Sequence, residues 1–234
     1  MGEAFMHTIE WNKRWAKGLK RFTDHKKAGN YYGDQWGDPD VTGLRQLPHW
    51  IRLMIQRRVW PVNLSDVVRY YIKPYVTPQS VVLEIGSGGG RWTKYLLDAK
   101  EIIVVELNPE FFPYLQERFK DYLSKFRFYD TSGYELDGIE ANSVDAIFSF
   151  VTFVHIEPDG IYSYLGHIKR VLKPSALAII QYSDKTKIRA RVNRGFSNVN
   201  ANTMEDFVSE YGFRLLDHNT CLLCHSNIAV IQKC

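Results

Sequence analysis

Glu84, Gly86, Gly88 and Gly90 alternate directly behind the apolar run Val81-Val82-Leu83. Glycine has no Cβ and tolerates unusual dihedrals, so such a loop lets a ligand approach the backbone closely. A carboxylate just ahead of it repels a pyrophosphate and suits a cationic ligand. The spacing also departs from the dinucleotide fingerprint, whose third glycine permits tight helix–strand packing; Arg91 occupies that position here. Glu106 ends a second apolar run one βα unit later, where a carboxylate can accept hydrogen bonds from both hydroxyls of a ribose. Asp130 ends a third run, and Ser149 and Phe150 end a fourth. His155 follows in Phe153-Val154-His155-Ile156-Glu157, and an imidazole with an unperturbed pKa of ~6.5 suits a general base at neutral pH.

These side chains need strand ends to hold them, and the chain supplies strands in alternation with helices. Buried-strand patterns cover 80–85, 101–107, 126–129, 144–150 and 176–182, and helical patterns cover 92–97, 109–123 and 160–172. That alternation predicts an α/β fold with a doubly wound, mostly parallel sheet. A helix over 204–211 then precedes two further strands, 213–219 and 227–232, which read as a hairpin-like pair. Asp145 starts the fourth strand, at the end away from the ligand, and reads as structural. Residues 1–79 differ in character and form an N-terminal helical cap, joined to a domain over 80–234. Within the cap, Trp11, Trp15, Leu19 and Phe22 recur at helical spacing between Lys13, Arg14, Lys17, Lys20 and Arg21. Such a basic amphipathic helix either packs its aromatic stripe on the domain or meets a membrane surface or acidic partner. Further helices are expected over 43–58 and 65–75, the latter capped by Asn63 or Ser65 and halted by Pro74.

The run from Glu84 to Gly90, followed by Glu106 and Asp130 after successive strands, resembles class I S-adenosylmethionine (SAM)-dependent methyltransferases of the small-molecule type. The order of elements from 80 to 234 matches that fold. The resemblance implies a seven-stranded sheet closed by antiparallel strands, SAM as cofactor, and a SAM site built from Glu84, Gly86, Ser87, Gly88, Gly90, Glu106, Leu107, Asp130, Thr131, Ser149 and Phe150. Asp130 would accept from the adenine amino group. Lys173-Pro174 resembles the family's turn before strand five, with Ser175 and Ala176 in place of its glycines. His155 would face the transferable methyl, as a base or as a residue shaping the SAM pocket.

The acceptor side is less constrained. Tyr31, Tyr32 and Trp36 could close over the site as a lid or belong to the core of the cap. Arg189 and Arg194, in a basic loop with Lys185, Lys187 and Arg191, could hold an anionic acceptor or be solvated charge. The expected reaction is methyl transfer to a small-molecule or glycan-like acceptor at a hydroxyl oxygen. RNA or protein N-methylation and non-catalytic SAM binding are the alternatives. Phe150-Val151-Thr152-Phe153 matches neither nucleic-acid base motif, Asp/Asn-Pro-Pro-Tyr/Phe or Pro-Cys, and this argues against a nucleic-acid acceptor. So does a net charge of only +4.

At 234 residues with 45% hydrophobic content, the chain suits one α/β domain plus an appendage. Its three cysteines, Cys221, Cys224 and Cys234, imply no disulfide framework. Cys221-x-x-Cys224-His225 lacks the second ligand pair of a zinc site, so these residues are expected on the two C-terminal strands. Asp34, Asp38 and Asp40 are too local for a divalent-metal site, and no metal is expected. No apolar run is long enough to span a bilayer, and the N-terminus lacks a signal-peptide pattern, so a cytoplasmic location is expected. Oligomeric state is not encoded in these patterns.

Overall fold

The computed structural model describes residues 13–20, 31 and 64–234. Seven strands form one sheet in the order β3-β2-β1-β4-β5-β7-β6. They are β1 (Val81–Ile85), β2 (Glu101–Glu106), β3 (Phe126–Asp130), β4 (Val144–Ser149), β5 (Leu172–Ser183), β6 (Phe213–Asn219) and β7 (Ser226–Lys233). The first five are mutually parallel, and β7 lies antiparallel between β5 and β6. Helices α1 (Phe111–Arg118), α2 (Pro158–Val171) and α3 (Ala201–Glu210) cover the faces. This is the doubly wound class I methyltransferase architecture expected above.

The central strands are apolar on both sides because both faces are covered. Leu83, Ile85, Ile103 and Ile147 pack with α2 and α3 on one face. Val82, Val104, Ala146 and Phe148 pack on the other with Val67, Val68, Tyr71 and Ile72. Those last residues lie on a helical turn, Leu64–Val67, that passes into a π-helical turn, Val68–Ile72, and stops before Pro74. Most of the N-terminal region lies outside the described residues, including the expected 43–58 helix and both ends of the basic amphipathic helix expected around Trp11 to Phe22. Within 13–20, which is helical, Leu19 is buried against Phe111 and Tyr114 while Lys13, Lys17 and Lys20 are exposed. Of the stripe, Leu19 and Trp15 pack on the domain, and Trp11 and Phe22 lie outside the described residues.

Three local departures have physical causes. The expected 92–97 helix is only a 3-10 turn, Thr93–Tyr95, because residues 91–100 must both bury Trp92, Leu96 and Ala99 and return to the start of β2. The expected 109–123 helix breaks at Phe119 into α1 and a 3-10 stretch, Lys120–Lys125. Finally, β5 starts at Leu172, directly after α2, rather than at residue 176. Its pairing with β4 jumps from Val144–Leu172 to Ala146–Leu177, so the residues between bulge out. Ser175 there takes φ +63°, a left-handed conformation that glycine adopts without strain. Asp145 anchors this end: it accepts from the Val81 N–H at 2.8 Å and from Lys173 Nζ at 2.7 Å.

Candidate active site

A cleft of about 380 Å³ opens at the carboxyl ends of the parallel strands, where open α/β sheets bind ligands. One end is built from the glycine loop after β1 and the end of β2. Gly86, Ser87, Gly88, Glu106 and Leu107 line it, joined by Phe111 from α1. A Cβ on Gly86, where φ is +76°, would sit 2.0 Å from Thr152 Oγ1, so this glycine lets the β1 and β4 loops touch. Gly88 at φ +51° is the opposite case: a Cβ there would meet nothing within 4 Å, because its Cα faces open space. The Gly88 N–H donates to Glu106 Oε2 at 2.9 Å, which fixes the carboxylate against the loop. Burial pushes the Glu106 carboxyl up to about 7 against the opposing pull of backbone N–H groups.

Glu84 stands elsewhere than its sequence position suggested. It is buried, is not part of the cleft wall, and accepts from Thr93 Oγ1 at 2.6 Å. Burial pushes its carboxyl up to about 8, with the nearby Glu106 adding to the rise. It therefore links β1 to the turn after the glycine loop and does not present a charge to a ligand. Gly90 is also off the wall, under Leu115 and Phe119. Ser149 is buried and donates to the Ile85 carbonyl at 2.8 Å, tying β4 to β1. Asp130 is exposed beside Glu106 in the strand register, and Thr131 donates its N–H to the Glu106 carbonyl. Neither Asp130 nor Thr131 lines the cleft.

The other end of the cleft comes from the loops after β4 and β5 and the turn before β7. Phe150 packs on Trp92 with ring centroids 4.3 Å apart. Val151 adopts φ +65°, costly for a β-branched residue. Its N–H donates to Gln181 Oε1 at 2.6 Å, and Gln181 Nε2 donates to Ser226 Oγ at 2.7 Å. The strained residue is thus held from β5 and β7. His155 ends a 3-10 turn, Phe153–His155, and lines the cleft. Its Nδ1 lies 2.7 Å from the Gly195 carbonyl. A carbonyl only accepts, so Nδ1 carries the proton and Nε2 the lone pair in the neutral ring. Phe196 and Trp15 pack edgewise on this imidazole.

Several wall residues carry no sequence signal of their own: Trp15, Gln181, Phe196, Leu223 and His225. Trp15 belonged to a recognisable helical stripe, and His225 to the Cys-x-x-Cys-His string; the rest emerge only from tertiary structure. That string falls in the turn between β6 and β7 rather than on the strands, with Cys221 and Cys224 exposed. Among the described residues no group of three or more His, Cys, Asp or Glu is placed to hold a metal. Tyr31 packs on Tyr114 with the Arg118 guanidinium over its ring, away from the cleft wall. Tyr32 and Trp36 lie outside the described residues. Arg189 and Arg194 are exposed and do not line the cleft. Among the described residues no helix is long and apolar enough to cross a membrane.

The residues at the glycine-loop end fit SAM. Glu106 offers carboxylate oxygen where a ribose diol would lie, the space over Gly88 admits a ligand against backbone, and Leu107, Phe111, Trp92 and Phe150 give apolar and aromatic walls. Residues 82–175 match the family model described as a methyltransferase domain. The chain is 28% identical over 146 residues to the hybrid PKS-NRPS synthetase lepA of Aspergillus flavus, an alignment spanning 58% of this chain and only 4% of that one. In structure it resembles a SAM-dependent methyltransferase from Aquifex aeolicus, with TM-score 0.58 and 18% identity over 71% of this chain and 89% of that one. It also resembles the CurJ carbon methyltransferase, with TM-score 0.51 and 20% identity over 68% of this chain and 49% of that one.

Proposed function

We propose that the chain is a class I SAM-dependent methyltransferase and that it methylates a small acceptor, at a hydroxyl oxygen, held in the half of the cleft between the β4 and β7 loops. The observation that carries this reading is the His155 imidazole on the cleft wall, with Nδ1 tied to the Gly195 carbonyl so that the lone pair of the neutral ring is on Nε2. Bound SAM supplies a methyl on a sulfonium, which departs as a neutral thioether when the acceptor's electron pair attacks. The protein's share is alignment and proton removal. Gly86, Gly88 and Glu106 fix the donor, Phe150 and Val151 form the floor between the two halves, and His155 takes the acceptor proton. A positioned base contributes roughly 10²- to 10⁴-fold, and alignment about 7–11 kcal/mol.

A second reading, methylation at an acidic carbon, is supported by the structural similarity to the CurJ carbon methyltransferase. The same base serves both, because a carbon between carbonyls and a hydroxyl each lose one proton to His155. An aromatic cleft of about 380 Å³ suits a small acceptor better than RNA or a folded protein. The test is a screen of small hydroxyl and 1,3-dicarbonyl acceptors with methyl-labelled SAM, with the label's attachment read by NMR. Label on oxygen supports the first reading and label on carbon the second. Label on nitrogen, or its appearance only in RNA or protein, contradicts both.

A further inference from the structure

Among the described residues, three that are not glycine take a positive φ: Asn142, Val151 and Ser175. Val151 is the β-branched one, and of the three it alone lines the cleft. A branched Cβ makes that conformation costly, so the surrounding structure must impose it. Val151 also stands where the donor and acceptor halves meet, which makes what holds it a matter of function.

Gln181 holds it. A backbone N–H only donates, so the atom that meets the Val151 N–H at 2.6 Å is the amide oxygen, and the NH₂ group faces Ser226 Oγ at 2.7 Å. Gln181 is 1% exposed and Ser226 0%, so water does not compete for these contacts. Ser226 is fixed in turn. It opens β7, and its carbonyl accepts from Lys187 Nζ at 2.7 Å. The same Nζ donates to the carbonyls of Thr220 at 2.5 Å and Leu223 at 2.8 Å, and so folds the turn between β6 and β7 onto the cleft. Val151 is therefore anchored through a chain of fixed contacts reaching β5, β7 and the turn before it.

What Val151 sets is the turn that carries His155. Thr152 precedes the 3-10 turn Phe153–His155, and the His155 N–H donates to the Thr152 carbonyl at 3.0 Å. The far side of this turn is held by the loop after β5: the Ser197 N–H donates to the Val154 carbonyl at 2.8 Å, and His155 Nδ1 meets the Gly195 carbonyl at 2.7 Å. The near side is held at Val151. Without Gln181 the Val151 N–H loses its acceptor, and the branched side chain then favours leaving the left-handed region. Any other backbone conformation there would redirect the turn as it leaves β4.

We propose that Gln181 is a positioning residue for methyl transfer: its amide holds Val151 left-handed and so sets where the His155 imidazole stands in the acceptor half. The inference rests on the methyl-transfer reading and adds to it a residue that touches neither donor nor acceptor chemistry directly. Its effect is on alignment, where a displacement of about 1 Å can cost on the order of a hundredfold in rate.

The test compares Gln181→Met, Gln181→Glu and the double variant Val151→Gly/Gln181→Met in the full chain labelled with ¹⁵N-histidine. Met keeps the side chain's length and removes both polar contacts, Glu keeps an oxygen for the Val151 N–H, and glycine takes a positive φ without strain. Gln181→Met should move the His155 imidazole resonance, identified by its loss in His155→Ala, and speed exchange of the Nδ1 hydrogen with water by at least about tenfold. Gln181→Glu and the double variant should each restore part of that protection. S-adenosylhomocysteine affinity by calorimetry should be unchanged in all three, which also shows that they are folded. With any acceptor that takes label in the screen above, Gln181→Met should lower kcat roughly tenfold to hundredfold at constant KM for SAM, and the double variant should recover part of it. A His155 signal or a kcat indifferent to Gln181→Met overturns the proposal. So does a loss that neither Gln181→Glu nor Val151→Gly reduces, which would leave Gln181 a packing role between β5 and β7 alone. Failure of S-adenosylhomocysteine to bind the unaltered chain is a different result: it removes the methyl-transfer reading, while the His155 spectra still report whether Gln181 sets that turn.

Discussion

The two halves of the cleft are built in different ways. The cofactor half is made by short stretches of chain: a glycine loop whose backbone conformation is its function, and one carboxylate at the end of the neighbouring strand. The acceptor half is assembled from His155, Gln181, Phe196, Leu223 and His225, side chains brought from strand β5 and three loops far apart in sequence. In the proposed reading, backbone geometry in the first half holds the donor, and side-chain identity in the second selects the acceptor. Substitutions should therefore separate cleanly, with those in the cofactor half affecting SAM binding and folding, and those in the acceptor half affecting turnover and acceptor affinity alone.

The largest expected separation is at His155. His155→Ala should lower kcat by roughly 10²- to 10⁴-fold and flatten the pH–rate profile, while calorimetry gives an unchanged SAM affinity. A matching loss of SAM affinity would mean that the two halves are not separable. Next comes Gly86→Ala, which places a methyl 2.0 Å from Thr152 Oγ1 at a positive φ. Overpacking and left-handed strain together should cost about 3 kcal/mol of folding stability by denaturant titration. Gly88→Ala has no such clash, and should cost only about 1 kcal/mol in stability yet weaken SAM binding, because its methyl projects into the ligand's space.

Protons give a subtler contrast. Glu84 and Glu106 have folded pKa values raised from 4.5 to about 8 and about 7, so the folded state binds more protons than the unfolded one in that window. Stability without ligand should fall as pH rises from about 4.5 to 8, by at most ~1.4 kcal/mol per pH unit for each titrating group. His225 works in the opposite sense: its pKa is lowered from 6.5 to about 4, so its contribution is present above pH 6.5 and is lost as pH falls through 4. Glu84→Gln, which still accepts from Thr93, should flatten the fall in stability between about pH 4.5 and 8, and His225→Asn should remove the loss toward pH 4. A thermal-unfolding series across pH with both variants checks this. The smallest effect lies outside both halves: Ser175→Gly should stabilise by about 1 kcal/mol by relieving a positive φ without altering either ligand's affinity.

The same contrast explains what could be read from the chain. The seven strands and the glycine loop were legible because their signals are local: apolar runs of strand length, and glycines at fixed offsets from an acid. Glu106 was legible for the same reason, since a strand end can be counted. Glu84 was misread as a charge for the ligand, because sequence shows a residue type but not the burial that keeps it protonated or the Thr93 hydroxyl it meets. Asp130 and Ser149 occupied the right strand ends, yet the side chain of one is exposed and that of the other is spent on the Ile85 carbonyl. His225 was hidden in a string resembling a metal motif. Nothing local reveals that three carbonyls on one lysine fold that turn over the cleft. The basic loop at 184–194 shows the limit most plainly: Lys185 and Lys187 are used to clamp backbone, while Arg189 and Arg194 face outward.

The division of the cleft is tested most directly by isothermal titration of S-adenosylhomocysteine into the unaltered chain, Glu106→Ala and His225→Phe. The unaltered chain should bind one equivalent. Glu106→Ala should bind at least about tenfold more weakly, from the lost charge-assisted hydrogen bonds, and His225→Phe should match the unaltered chain. Undiminished binding by Glu106→Ala, or an equal loss in His225→Phe, would contradict a cofactor half and an acceptor half that act separately.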